Sequence, residues 1–114
     1  MSGQLRHSRL SPARQRLVLL MQQMNFGRIE NLLVQKGEPV FAPPPRLVRE
    51  IRLGGENGSR PEAGVADFAL KAPVVELLAH LSEIGSGRIE SLEVRHGLPQ
   101  RLVLVAEAVG GAAA

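Results

Sequence analysis

The chain has no cysteine, no tryptophan and no tyrosine, and its only aromatic residues are three phenylalanines. Without cysteine there is no disulfide, no thiolate nucleophile and no Cys-ligated zinc or iron–sulfur site. With so few rings the core must be aliphatic, built from Leu, Val, Ile and Met. Lysine is scarce as well, two against twelve Arg. Arg suits phosphate contacts, but beside the high Ala and Gly content the ratio fits a GC-rich coding sequence. No apolar run approaches the length of about 18 residues that crosses a membrane. The apolar stretch after the basic N-terminus, Leu17 to Met21, is five residues long and is followed by Gln22 and Gln23, so it does not read as a signal peptide. Together these absences lead us to expect a soluble, cytoplasmic protein with no membrane contact.

What remains is 114 residues, the size of one ordinary domain, with a hydrophobic share of 44% that is normal for a packed core. The net charge of +3 is unevenly spread. Residues 1–60 carry ten Arg and Lys against four Glu, a net +6, and residues 61–114 carry four against seven Asp and Glu, a net −3. A basic half can mark a polyanionic partner, or it can complement the chain's own acidic half.

The strongest pattern is a repeat. Residues 27–39 read GRIENLLVQKGEP, and sixty residues on, residues 87–99 read GRIESLEVRHGLP, identical at eight of thirteen positions. The likeness extends upstream. Leu17, Val18, Met21 and Met24 align with Leu77, Leu78, Leu81 and Ile84, both sets forming one apolar stripe of a helix. Ser11 and Pro12 supply an N-cap and first helical position, and Pro73 sits near the second helix start, where a missing N–H costs little. Both helices run into glycine, at Gly27 and at Gly85 and Gly87.

After each glycine the chain reads as strand. Leu92 and Val94 share one face while Glu93 and Arg95 share the other. Ile29 and Ile89 are out of phase with the apolar residues that follow. Either a one-residue bulge near Glu30-Asn31 and Glu90-Ser91 returns each Ile to the core face, or each Ile ends a loop. Lys36-Gly37 and His96-Gly97 are set for tight hairpin turns. The second turn leads into a return strand at about 99–107. The first return is interrupted: a short strand at Val40-Phe41, then Pro43-Pro44-Pro45, which cannot donate ladder hydrogen bonds, then Arg46 to Leu53. In that last segment Leu47, Ile51 and Leu53 share one side and Arg46, Glu50 and Arg52 the other.

The expected architecture is therefore α+β. Two tandem αββ units, 11–53 and 67–107, build a two-layer sandwich with a four-stranded antiparallel sheet and two helices on one face. They form a single domain over 11–109, joined by a Gly-rich linker at 54–66. A flexible basic tail at 1–10 and a disordered tail at 110–114 flank it. If the first strands of the two units pair antiparallel at the centre, Ile29 faces Ile89. Arg28 with Glu90 and Glu30 with Arg88 then become cross-strand ion pairs.

The pattern resembles the small bacterial YezD-like proteins, which look like one αββ unit with a short helix, an aromatic-Gly pair, a strand, a tight turn and a second strand. Phe26-Gly27 matches the aromatic-Gly pair and Lys36-Gly37 the turn. In the second copy Ser86 replaces the aromatic and His96-Gly97 is the turn. The chain carries one residue more between the two glycines of each unit and lacks a Gln-Ile-Glu type of ending. The resemblance covers about 30 residues per copy, implies a duplicated relative with the same αββ fold, and implies no activity.

The search for chemistry is sparse. His7, His80 and His96 have no metal-ligand spacing and read as tail, boundary and turn residues. Glu30 and Glu90 could be a carboxylate pair, but the Arg two residues before each favours ion pairing. No serine has a triad context. The loop at 53–60, LGGENGSR, matches no phosphate-binding motif and reads as a connector, with an anion-binding nest as the alternative. Arg6, Arg9, Arg14 and Arg16 form one basic group. Arg46, Arg49, Arg52 and Arg60 form another, the candidate anion or partner site. A solvated basic face is the favoured reading of both groups, since the three Phe belong in the core rather than on a stacking surface.

The resulting expectation is a non-enzymatic protein-binding or assembly module that recruits a protein partner or another copy through a strand edge. It would need no cofactor, metal or small-molecule substrate. The alternative is a nucleic-acid-binding accessory protein using the basic N-terminal half.

Overall fold

Both helices form where the apolar stripes demand them. In α1, Pro12–Met24, the Ser11 side chain accepts from the Arg14 N–H at 3.2 Å and Pro12 opens the first turn. In α2, Ala72–Ile84, a proline again sits in the first turn, but the N-cap is Lys71 and no side chain caps the helix. The two helices begin sixty residues apart and are both thirteen residues long. The second helix stops at glycine as expected, at Gly85, whereas the first stops two residues before Gly27. Asn25 at φ 67 ends α1 and Gly85 at φ 69 ends α2. Asn is among the few residues that tolerate a positive φ. Gly27 is then free for another task, and the computed structural model, which describes residues 5–54 and 67–105, shows what it is.

Gly27 lies where a neighbouring strand passes close. A Cβ there would stand 2.2 Å from the Val48 carbonyl oxygen, and the backbone holds φ 148. Only glycine fits both conditions. The strands are β1 (Phe26–Gln35), β2 (Glu38–Val40), β3 (Arg46–Arg49), β4 (Gly87–Arg95) and β5 (Leu98–Leu104). They form one antiparallel sheet in the order β2-β1-β4-β5, with β3 also paired to β1. There are five strands rather than four because the first return strand is cut in two. Its first piece, β2, pairs with Leu33 to Gln35. The segment from Phe41 to Pro45 then leaves the sheet, and the second piece, β3, pairs with Gly27 to Glu30. The return in the second half, β5, is continuous, with small register shifts only.

Both hairpin turns place two consecutive residues at positive φ: Lys36 and Gly37 at 52 and 75, His96 and Gly97 at 56 and 73. That is the backbone of a two-residue hairpin whose twist matches its strands. Each turn also reaches into the other half of the chain. The Gly37 N–H donates to the Gly85 carbonyl at 2.7 Å, and the Gly97 N–H donates to the Asn25 carbonyl at 3.0 Å. Each hairpin is thus tied to the helix end of the other half.

The central β1–β4 pairing is antiparallel, as expected, but the register is not the one expected. Ile29 stands opposite Leu92 and Leu32 opposite Ile89. Arg28 stands opposite Glu93, Glu30 opposite Ser91 and Leu33 opposite Arg88. The Arg28–Glu90 and Glu30–Arg88 pairs therefore do not form. Pairing Ile29 with Ile89 would have left the end of β4 beyond the reach of β1. The observed register overlaps the two strands from Phe26–Arg95 to Val34–Gly87 and sets an Ile against a Leu at both buried positions. The phase problem is resolved by an extra residue in each strand. The ladder skips Asn31, which sits at φ 59, and the β4–β5 register shifts between Ile89 and Ser91. Ile29 and Leu32, three apart, are consequently both fully buried.

One apolar cluster joins everything: Leu17, Val18, Met21 and Met24 from α1, Val74, Leu77, Leu78 and Leu81 from α2, and Ile29, Leu32, Val34, Ile89, Leu92 and Val94 from the central strands. The N-terminal segment is part of this body over the residues described. Within the stretch 1–10, expected as a flexible basic tail, Arg6 bridges Ala69, His7 to Arg9 form a 3-10 turn, and the His7 ring stacks on Phe68 at 4.8 Å. Residues 1–4, 106–114 and most of the linker, 55–66, lie outside the described residues.

Candidate interaction surfaces

The strand residues that alternate with the core carry a row of charges across the sheet. Arg46 on β3 lies 3.5 Å from Glu30 on β1, and Arg28 donates to Glu30 at 2.7 Å. Arg28 stands opposite Glu93 on β4, and Glu93 pairs with Arg101 on β5 at 3.3 Å. The signs alternate along the row. The Arg28 hydrogen bond, aided by Arg28 and Arg46 charge, holds the Glu30 carboxyl below its ordinary pKa. Arg88 and Glu90, expected as partners in this region, are absent from the ion pairs among the described residues.

The expected basic group of Arg46, Arg49, Arg52 and Arg60 is described at its first three members. Arg46 is neutralised by Glu30. Arg49 stands opposite Gly27 near the end of β3. The Arg52 guanidinium lies 5.0 Å over the Phe26 ring. Arg60 lies outside the described residues. Arg52 shares an open cleft of about 510 Å³ with Arg95, His96, Phe26 and Glu50.

The expected apolar side of residues 46–53 is also not in the core. β3 ends at Arg49. Leu47, Ile51 and Leu53 are exposed, at 49%, 59% and 96%. Leu47 stands opposite core-facing Ile29, so it lies on the helix side of the sheet edge. There it helps line a groove of about 530 Å³ between α1 and the Pro run, with Leu19, Leu20, Phe41, Pro44 and Pro45. The Arg16 guanidinium sits 4.3 Å over the Phe41 ring and rims the groove. A smaller groove of about 250 Å³ lies in the corresponding place beside α2 and β5, rimmed by Glu76 and His80. Arg16 and Glu76 occupy equivalent positions of the repeat, sixty residues apart.

Neither groove was anticipated from the sequence, although one signal was available. The Pro run forces residues 42–45 out of the ladder, and a strand interrupted in this way leaves its apolar flanks uncovered. Arg14, counted among the basic residues, is instead structural. It donates to the Gly37 carbonyl and the Ser82 hydroxyl, both at 2.9 Å, and lies 3.7 Å from Glu38, which also accepts from the Ser11 hydroxyl.

Among the described residues no group of His, Asp and Glu could hold a metal ion, and no helix is long and apolar enough to cross a membrane. No protein-family model, curated protein or solved structure matches the chain.

Proposed function

We propose that this chain is a non-enzymatic protein-binding or assembly module, built from two tandem αββ units that form a two-layer sandwich. The duplicated reading is supported by helices of equal length at a sixty-residue offset and by the exchanged hairpin bonds between Gly37 and Gly85 and between Gly97 and Asn25. The observation that carries the functional reading is the apolar groove beside α1. It is shaped by Phe41, Pro44, Pro45 and Leu47, none of which enters the main core cluster as a fully buried member. A groove that concentrates exposed apolar side chains next to a single oriented guanidinium suits a protein segment better than a small polar substrate.

A photo-crosslinking residue placed at Leu47 and at Leu19, in the cells that make the protein, tests this reading. It predicts discrete protein adducts at both positions and none at Gln35 on a hairpin. Silence at both groove positions would overturn it.

The nucleic-acid alternative has one local feature in its favour, the cleft shared by Arg52, Arg95 and His96. Labelled RNA and DNA should then bind with an affinity that falls steeply with salt and is lost in Arg95→Glu. No binding at low salt would remove that reading.

A further inference from the structure

Helices α1 and α2 are equivalent in the repeat yet opposite in charge. α1 carries Arg14 and Arg16 and no acidic residue, whereas α2 carries Glu76 and Glu83 and no Arg or Lys. Arg14 is consumed inside the fold by Gly37, Ser82 and Glu38. Glu83 is engaged by His80, with Nδ1 to Oε1 at 3.3 Å. That leaves Arg16 and Glu76, both exposed. Among the described residues Arg16 has no acidic partner and Glu76 no basic one; the Arg16 guanidinium lies over an aromatic face instead. The apolar surroundings of the two residues also complement each other. Arg16 borders the concave groove of Leu19, Leu20, Phe41 and Leu47, while Glu76 adjoins Val75, which projects from α2 at 39% exposure.

From this pairing we infer that the occupant of the α1 groove is α2 of a second copy of this chain. Val75 enters the apolar groove and Glu76 meets the Arg16 guanidinium. The contact joins two different surfaces, so a pair of molecules keeps one free groove and one free α2. Association is therefore head-to-tail, and it produces rings or open chains rather than a closed pair. Charge complementarity makes it sensitive to salt and intolerant of charge reversal. This inference rests on the protein-binding reading above and names the partner.

The test is sedimentation velocity on the purified full chain over a concentration series at low and raised salt. Wild type should form species larger than a dimer as concentration rises, with association weakening as salt is added. Arg16→Glu and Glu76→Arg alter exposed positions, so each should stay folded, with at most a small fall in thermal midpoint for Arg16→Glu, which gives up the contact with the Phe41 ring. Each should weaken association at least about tenfold, because like charges then face each other. The decisive step is mixing the two variants. At one junction the groove of Glu76→Arg meets the α2 of Arg16→Glu with wild-type charges, and at the other the charges are exchanged but still opposite, so the mixture should recover association, including species larger than a dimer. A monomeric wild type at every concentration, or a mixture that stays monomeric, would overturn the inference. If the wild type is monomeric while Leu47 still crosslinks to a different protein, self-assembly fails and the protein-binding reading stands. If both experiments are negative, both fail.

Discussion

The two halves of this chain run through nearly the same local instructions and end in different places. Each has a thirteen-residue helix, a long strand, and a hairpin with two residues at positive φ. In the second half the return strand runs without a break from Leu98 to Leu104. In the first half, Phe41 to Pro45 push it out of the sheet and back in. The interruption creates the larger groove, exposes Leu47 and brings β3 close over Gly27. The comparison separates what the scaffold needs, which both halves keep, from what one half adds. The additions are where an interaction site is to be sought.

The largest expected consequence is at the paired glycines. Gly27→Ala must displace the Val48 carbonyl and hold φ 148, whereas Gly87 has ordinary φ and would meet only the Ile84 side chain at 3.2 Å. Gly27→Ala should cost at least ~2 kcal/mol in urea unfolding and Gly87→Ala less than ~1 kcal/mol. Equal costs would mean that β3 does not pass over Gly27.

The next effect concerns a position where the halves differ in polarity. Arg14 fills the space between Gly37, Glu38 and Ser82. The equivalent space in the other half, between Val74, Gly97, Leu98 and Gln22, keeps a void of about 20 Å³. The Gln22 Oε1 is buried there with no hydrogen-bond partner. Arg14→Met should destabilise by ~1–2 kcal/mol through the carbonyl and hydroxyl it leaves unpaired. Gln22→Met should be neutral or gain up to ~1 kcal/mol, since it removes an unpaired acceptor and fills space. The denaturant midpoint should fall for Arg14→Met and hold or rise for Gln22→Met, and a joint fall would contradict the assignment.

A smaller difference lies at the helix starts. Ser11→Ala should lose ~1 kcal/mol, and Lys71→Ser, which adds the cap that α2 lacks, should gain ~0.5 kcal/mol. Thermal midpoints give both numbers directly.

The smallest effect is a pH dependence at the N-terminal segment. Burial lowers the His7 pKa from its ordinary 6.5, partly offset by Asp67. The unfolded chain therefore takes up a proton at a pH where folded His7 does not. Stability is intact above about 6.5 and is lost as pH falls below it. Asp67 behaves separately. The Arg6 hydrogen bond, followed by the Ser8 N–H, holds its carboxyl far below the usual range. Its contribution is intact above about 3.8 and disappears only in stronger acid. Unfolding followed from pH 8 to pH 5 should show a decline in wild type and a flatter profile in His7→Phe. Identical profiles would remove His7 from the account.

The sequence carried the periodic features. The apolar stripes of Leu17 to Met24 and of Leu77 to Ile84, the Ser11 cap, the two turns and the broken return strand were all legible because each depends on local spacing. The β1–β4 register was not. Both GRIE segments can face each other antiparallel in more than one alignment, and the choice depends on total strand overlap and on the extra residue at Asn31, which no short window reports. The fate of residues 46–53 was misleading for a related reason. Their alternation is real, but whether Leu47 and Ile51 enter the core depends on how far β3 runs along β1, and it stops at Arg49. The candidate interaction surface was invisible until equivalent positions could be located in space. Arg16 and Glu76 are ordinary helix-surface residues singly and informative only as a pair.

The absence of native cysteine makes the central claim, the joining of the two halves through one register, open to a direct test. Arg28→Cys combined with Glu93→Cys places two thiols directly across β1 and β4. Cross-strand partners lie within the Cα separation a disulfide needs. Mild oxidation should close this pair quantitatively within the monomer. Arg28→Cys combined with Glu90→Cys displaces one thiol by three residues, about 10 Å along the strand, and should stay reduced. A bond that forms readily between positions 28 and 90, with 28 and 93 left open, would contradict the register and the account built on it.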